Sequence, residues 1–202
     1  MLGTFDFRSA KIAYSVKGKG RAILLIHGFL GAKEIWQELE IRLAKNFKVI
    51  SIDLPGHGQS DCIGYVHDME LLAECCNSLL KYLSIRKAIV VGHSLGGYVS
   101  LAFGEKFPDS VLGLMLVNST AKGDSDNRKK SRNQLIRMVK KDRLKLLGSL
   151  VPSFFNIKNR KTTWQIKRYL KMAQNCSEQS IIAAAEGMKN RREREIVLKF
   201  AP

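Results

Sequence analysis

Cysteine is scarce in this chain. Cys62, Cys75, Cys76 and Cys176 are its only four, with no CxxC spacing among them and no clustered histidines beside them. That pattern excludes a disulfide scaffold and argues against a metal centre. Buried, reduced thiols account for all four. Long apolar runs are also missing: the longest in the first half, such as 22–26, are strand-sized, far below the roughly 18 residues that cross a bilayer. The first 20 residues lack a basic start followed by an apolar stretch, so no secretory signal is expected. The expected location is cytoplasmic. Disorder and coiled coil are excluded in turn, because 45% of the residues are apolar and 26% charged, an ordinary globular balance.

Acidic residues are few in the last two fifths. Residues 1–120 hold 13 Lys/Arg against 11 Asp/Glu, and residues 121–202 hold 21 against 7. A nearly neutral part is therefore followed by a strongly basic one. Such a surface suits an anionic ligand or an acidic partner. No helix-turn-helix or aromatic-interleaved pattern accompanies the charge, so a nucleic-acid partner is not expected. A solvated face on amphipathic helices explains most of it.

The apolar pattern divides the chain the same way. Short strands are predicted at 3–7 and 12–16. Runs at 22–26, 48–52, 88–91 and 111–117 are the continuous kind that suits strands buried on both faces. Helical spacing falls between them at 32–45, 68–83 and 95–107, with Asp68 as a capping residue and Pro108 as a stop. Strand and helix alternating in this way predict a three-layer α/β/α fold around a mostly parallel sheet. After Ser119 the strand rhythm stops. Helices are predicted at 127–150, 163–175 and 177–188, the last capped by Ser177. The expected organisation is a core over 1–120, a helical lid over 121–190 laid on the carboxyl edge of the sheet, and a return toward the core over 191–202.

Two motifs carry chemistry. Gly92-His93-Ser94-Leu95-Gly96-Gly97 lies between a predicted buried strand and a helix, the setting of a nucleophile elbow. A serine at so sharp a turn stands above the sheet edge, with the helix N-terminus behind it. At the end of an earlier strand, His27-Gly28-Phe29 offers a glycine able to take an unusual backbone conformation and so aim the Phe29 N–H outward. With the Leu95 N–H it would make a two-donor oxyanion hole. His27 is expected to hold its loop rather than face Ser94.

Together with Asp53-Leu54-Pro55-Gly56-His57-Gly58-Gln59-Ser60, these motifs give a chain that resembles the α/β-hydrolase fold superfamily, in a compact esterase-like branch, over about residues 3–120. The resemblance implies Ser94 as nucleophile, the Phe29 and Leu95 N–H groups as oxyanion donors, His27, Gly28 and His93 as pocket neighbours, and a structural role for the 53–60 loop. It implies hydrolysis of a carboxylic ester or thioester, small or carrier-linked, with an anionic acyl group favoured by the basic helices. No cofactor or metal is implied, and an oligomer is compatible with it. The superfamily orders its triad serine, acid, histidine. Here His27, His57, His67 and His93 all precede Ser94. The expectation is a truncated chain, short of the last two strand–helix units and of the catalytic histidine, and inactive alone. His57 is a remote substitute base. Asp124 is a candidate acid, more simply an exposed or helix-capping aspartate. A non-catalytic hydrolase-like protein that binds through its basic helices is the alternative, and elimination by proton abstraction would use the same serine.

Overall fold

Alternation inside apolar runs sets the architecture. The computed structural model describes residues 1–156 and 163–200; positions 157–162 of the expected lid and 201–202 of the expected return lie outside them. In β3 (Ala22–Ile26) every residue is buried. Ala22, Leu24 and Ile26 face one layer of helices, while Ile23 and Leu25 face the other with Trp36, Val49 and Val91. A period of two with both faces apolar produces a sheet with helices on each side.

The sheet runs β1-β2-β4-β3-β5-β6. β1 (Leu2–Phe7) and β2 (Ala10–Lys17) form an antiparallel hairpin at one side. β4 (Lys48–Ile52) and β5 (Ala88–His93) flank β3 in parallel, and β6 (Val111–Val117) is parallel to β5. The three-layer α/β/α expectation holds, with each strand of the prediction in place. α2 (Met69–Tyr82) begins where Asp68 accepts a hydrogen bond from the Leu71 N–H at 2.7 Å. It packs with α3 (Leu95–Lys106) on one face of the sheet. Cys75 and Cys76 lie fully buried in α2, and burial pushes the Cys76 thiol up to about 12.

The helix expected at 32–45 forms only in part. Residues Lys33–Trp36 make a 3-10 turn, and α1 is confined to Gln37–Leu43. The Lys33 N–H is drawn to Asp53 Oδ1 at 2.7 Å, which holds the chain extended at Ala32 and leaves too few residues for a regular first turn. The Lys33 ammonium is itself buried and donates to Asp53 Oδ2 at 2.7 Å. Burial alone would lower its pKa, but the carboxylate outweighs burial and holds it raised.

Beyond β6 the chain is helical: α4 (Asp126–Leu150), α5 (Thr163–Asn175), α6 (Glu178–Lys189) and α7 (Glu195–Phe200). Ile136, Val139, Leu146 and Leu147 form the buried stripe of α4. The helix breaks at Asp142 (φ −161°, ψ 89°), whose carboxylate accepts from the Lys145 N–H at 3.0 Å and so recaps the second half. Ser177 caps α6 through the Ser180 N–H at 3.1 Å. In α7, Val197 packs with Leu101 of α3 and with Ala121. Among the described residues no helix is long and apolar enough to cross a membrane.

Candidate active site

Ser94 occupies the turn between β5 and α3 with φ 51° and ψ −113°, a conformation that side chains with a Cβ rarely adopt. The neighbours enforce it. The Ser94 N–H donates to the Val117 carbonyl at 3.0 Å, and the Ser94 carbonyl accepts from the Gly97 N–H at 2.9 Å and the Ser119 hydroxyl at 2.8 Å. Glycine is required at 92 and 96 for closeness. A Cβ on Gly92 would strike the Gly96 carbonyl, and one on Gly96 would strike the Ile26 carbonyl and lie 2.7 Å from that of His27. The turn is thereby pressed against the end of β3. The Ser94 hydroxyl makes no hydrogen bond among the described residues and lines a cavity of about 860 Å³.

The second motif meets the first there. Phe29 and His93 line the same cavity as Ser94. Neither the Phe29 nor the Leu95 N–H has an acceptor among the described residues. Two free N–H groups, one from the loop after β3 and one at the start of α3, are what an oxyanion site requires. Gly28 serves differently from expectation. The left-handed residue in this loop is Leu30 (φ 62°), whereas a Cβ on Gly28 would lie 2.7 Å from His93 Nδ1, so glycine is needed there for close approach.

His27 holds the loop. Its Nε2 accepts from the Leu54 N–H at 2.9 Å, so the proton sits on Nδ1, which donates to the Gly28 carbonyl at 2.8 Å. Full burial lowers its pKa to about 4. His57 donates from Nδ1 to the Pro55 carbonyl at 3.1 Å, and burial lowers its pKa to about 3. Its Nε2 is buried without a partner, and its ring packs on those of His27 and Phe29. His67 accepts from the Ile63 N–H at 3.3 Å. His93 stands edge-on to Trp36 with its Nδ1 unpartnered, and burial lowers its pKa too. Among the described residues none of the four accepts a hydrogen bond from Ser94.

Asp124 departs from the exposed or capping aspartate expected. Its carboxylate is fully buried because two guanidiniums cover it: Arg191 Nη1 at 2.6 Å and Arg132 Nε at 3.2 Å. Sequence reasoning missed Arg132 and Tyr169 as contributors to the site. The Tyr169 hydroxyl, from α5, donates to the Phe29 carbonyl at 2.9 Å, between the edges of Phe154 and Phe155. An aromatic on an amphipathic helix carries no local sign that its hydroxyl will meet a loop 140 residues away.

The resemblances to known proteins agree with this geometry. A thermophilic esterase from Thermogutta terrifontis superposes with a TM-score of 0.87 at 28% identity, over all of this chain and 75% of its own. An uncharacterized protein of Mycobacterium tuberculosis is 40% identical over 119 residues, 57% of this chain and 35% of that protein. A 2-(acetamidomethylene)succinate hydrolase of Mesorhizobium japonicum is 34% identical over 104 residues, 52% of this chain and 37% of that enzyme. The matched stretches thus span little more than a third of these two curated relatives. Residues 21–180 match the family model for the alpha/beta hydrolase fold. With residues 21–180 matching that model, a six-stranded sheet and a serine turn at the carboxyl end of β5, the chain belongs to the alpha/beta hydrolase fold family.

Proposed function

We propose that this protein is a serine hydrolase of carboxylic esters or thioesters, working through an acyl-enzyme on Ser94. The observation that carries the proposal is the strained, fully held backbone at Ser94, with a free hydroxyl facing a cavity. Strain of this kind persists where the surroundings over-determine it. Ser94 Oγ attacks the substrate carbonyl, and the carbonyl oxygen, as it gains charge, meets the N–H groups of Phe29 and Leu95. The N-terminus of α3 adds a favourable field. The leaving alcohol or thiol departs with a proton, and water then releases the acid.

The proton transfers need a base that the four histidines do not supply, since three are buried in structural contacts and His93 makes none with Ser94. The base is thus none of these four imidazoles, and without one these 202 residues would turn over little ester. The helices from α4 to α6 act as a lid, and Tyr169 steadies the Phe29 loop from it. The basic lid and the likeness to an enzyme named for a succinate derivative both favour a substrate with an anionic acyl group. A second reading, a hydrolase-like protein that binds without turnover, is favoured by the same lack of an imidazole on Ser94.

Fluorophosphonate labelling separates the two. The full-length protein should label at Ser94, and Ser94→Ala should abolish labelling while leaving the fold intact. No labelling of the full-length protein would overturn the nucleophile assignment and favour the binding protein.

A further inference from the structure

Among the described charged groups on the cavity wall, one is set apart by its surroundings. Arg132 of α4 lines it together with Ser94. Its Nε donates to Asp124, and neither terminal nitrogen has a partner among the described residues. The side chain is only 21% exposed, while those of Asp124 and Arg191 are 0% and 1% exposed. Arg191 is not among the described residues that line the cavity, and although its Nε is buried without a partner, both of its terminal nitrogens are bonded. It donates to the carbonyls of Met188 at 2.8 Å and Lys122 at 3.0 Å, and its guanidinium lies 3.8 Å above the Tyr98 ring. Two guanidiniums therefore share one carboxylate, which leaves one positive charge in the cluster. Arg132 is the member through which that charge meets the cavity.

The other cations on the wall are placed differently. Arg168 spends Nη2 on the Glu34 carbonyl and the Gln37 side chain, at 2.6 and 2.8 Å. Arg42 is exposed one turn from Glu38 on α1. Among the described residues on the wall, only Arg132 combines a fixed Nε, a mostly buried stem and terminal nitrogens without a partner. A planar fork held in this way matches a carboxylate in two parallel hydrogen bonds.

We infer that Arg132 binds a carboxylate on the substrate, remote from the carbonyl that Ser94 attacks. The substrate class is then an ester or thioester that also carries a free carboxylate, such as the half-ester of a dicarboxylic acid. The inference rests on the Ser94 cavity being the substrate site. Phe29, Trp164 and Met172 supply apolar wall for the carbon chain between the two groups. A cavity of about 860 Å³ lies in the range of small-molecule sites.

Trp36 and Trp164 are the chain's two tryptophans, and both line this cavity, so their fluorescence reports occupancy. The test titrates monomethyl adipate and dimethyl adipate into Ser94→Ala protein, where no turnover complicates binding. The half-ester should bind about tenfold more tightly than the neutral diester, equivalent to about 1.4 kcal/mol. In Arg132→Met the preference should fall to within about twofold, with diester affinity unchanged as the sign of an intact cavity. Arg132→Lys keeps a charge for Asp124 but not the fork, and covers the case in which the methionine variant does not fold; its preference should fall about threefold or more. Equal affinity for the two esters, a preference that survives either substitution, or no saturable binding at millimolar concentration would overturn the assignment. Because binding needs no nucleophile, this result is independent of whether Ser94 labels.

Discussion

Replacing Ser94 by glycine should make the protein more stable, and the size of the gain follows from the turn. At φ 51° and ψ −113° a residue with a Cβ bears about 1–3 kcal/mol of strain. Glycine releases that strain but has more freedom to lose on folding, a cost of about 0.4–1 kcal/mol. The hydroxyl contributes little, since Oγ has no hydrogen-bond partner among the described residues. Ser94→Gly should therefore gain about 1 kcal/mol, raising Tm by about 2–4 °C in a chain of this size. Ser94→Ala keeps its Cβ, hence its strain, and should stay within about 0.5 kcal/mol of the parent. Urea unfolding of the three proteins, with m-values required to agree, reads the differences directly. The glycine–alanine comparison cancels the lost hydroxyl, so it isolates the backbone term. A glycine variant less stable than the alanine variant would show that the turn is relaxed, and would remove the main physical support for Ser94 as a nucleophile.

Burial lowers the pKa of folded His27 to about 4 and of His57 to about 3, while unfolded imidazoles titrate near ~6.5. Stability should thus be full above about pH 6.5 and fall by up to about 1.4 kcal/mol per pH unit for each ring as pH drops toward 4. The carboxylates Glu40, Glu70 and Glu74, all lowered, add their losses only at lower pH. Urea midpoints between pH 7 and 5 should therefore follow the histidines, and a slope unchanged in His57→Gln would refute the His57 contribution. Asp53→Ala leaves the buried Lys33 ammonium with the half-exposed Glu34 as its remaining carboxylate and should cost about 3 kcal/mol by the same assay; a loss below about 1 kcal/mol would mean that Glu34 and Gln59 suffice to hold it. Tyr169→Phe removes the hydrogen bond to the Phe29 carbonyl and should cost about 1 kcal/mol, whereas no change in melting would make the contact incidental. β6 has no partner on its outer side among the described residues, and its Met115 is 55% exposed. Sedimentation should show self-association that Met115→Lys weakens, and a monodisperse monomer at high concentration would contradict it.

The sheet was legible because its evidence is local. Five consecutive apolar residues at 22–26, between Arg21 and His27, and four at 88–91, between Lys87 and Gly92, state a doubly buried strand without reference to anything distant. The elbow was legible for a similar reason: Gly92, Ser94 and Gly96 sit within five residues, although the turn they make is held by the ends of β3 and β6. Where long-range contacts decide, the pattern was silent or misleading. The apolar spacing of 32–45 predicts one helix, but Asp53, twenty residues on, captures the Lys33 N–H and shortens it. Gly28 suggested a special φ, whereas the crowding that requires glycine comes from His93. Asp124 carried the exposure expected of aspartate until Arg132 and Arg191, 8 and 67 residues away, enclosed it. Nothing distinguishes Arg132 within a helix crowded with basic side chains.

His27 shows how such contacts make a site without taking part in its chemistry. Its ring bridges the loop after β3 and the loop after β4, donating to the Gly28 carbonyl and accepting from the Leu54 N–H. Only the neutral ring with its proton on Nδ1 can do both, because a charged ring would set an Nε2–H against the Leu54 N–H. The same burial that keeps the ring neutral down to about pH 4 therefore preserves the bridge. Phe29 is held from the other side by Tyr169, and its ring rests on His57. The loop that would present the Phe29 N–H to an oxyanion is thus fixed by partners from α5 and the 53–60 segment, neither adjacent to it in sequence. Rigidity of the donor, rather than any donated proton, is what the histidines of this half of the fold contribute.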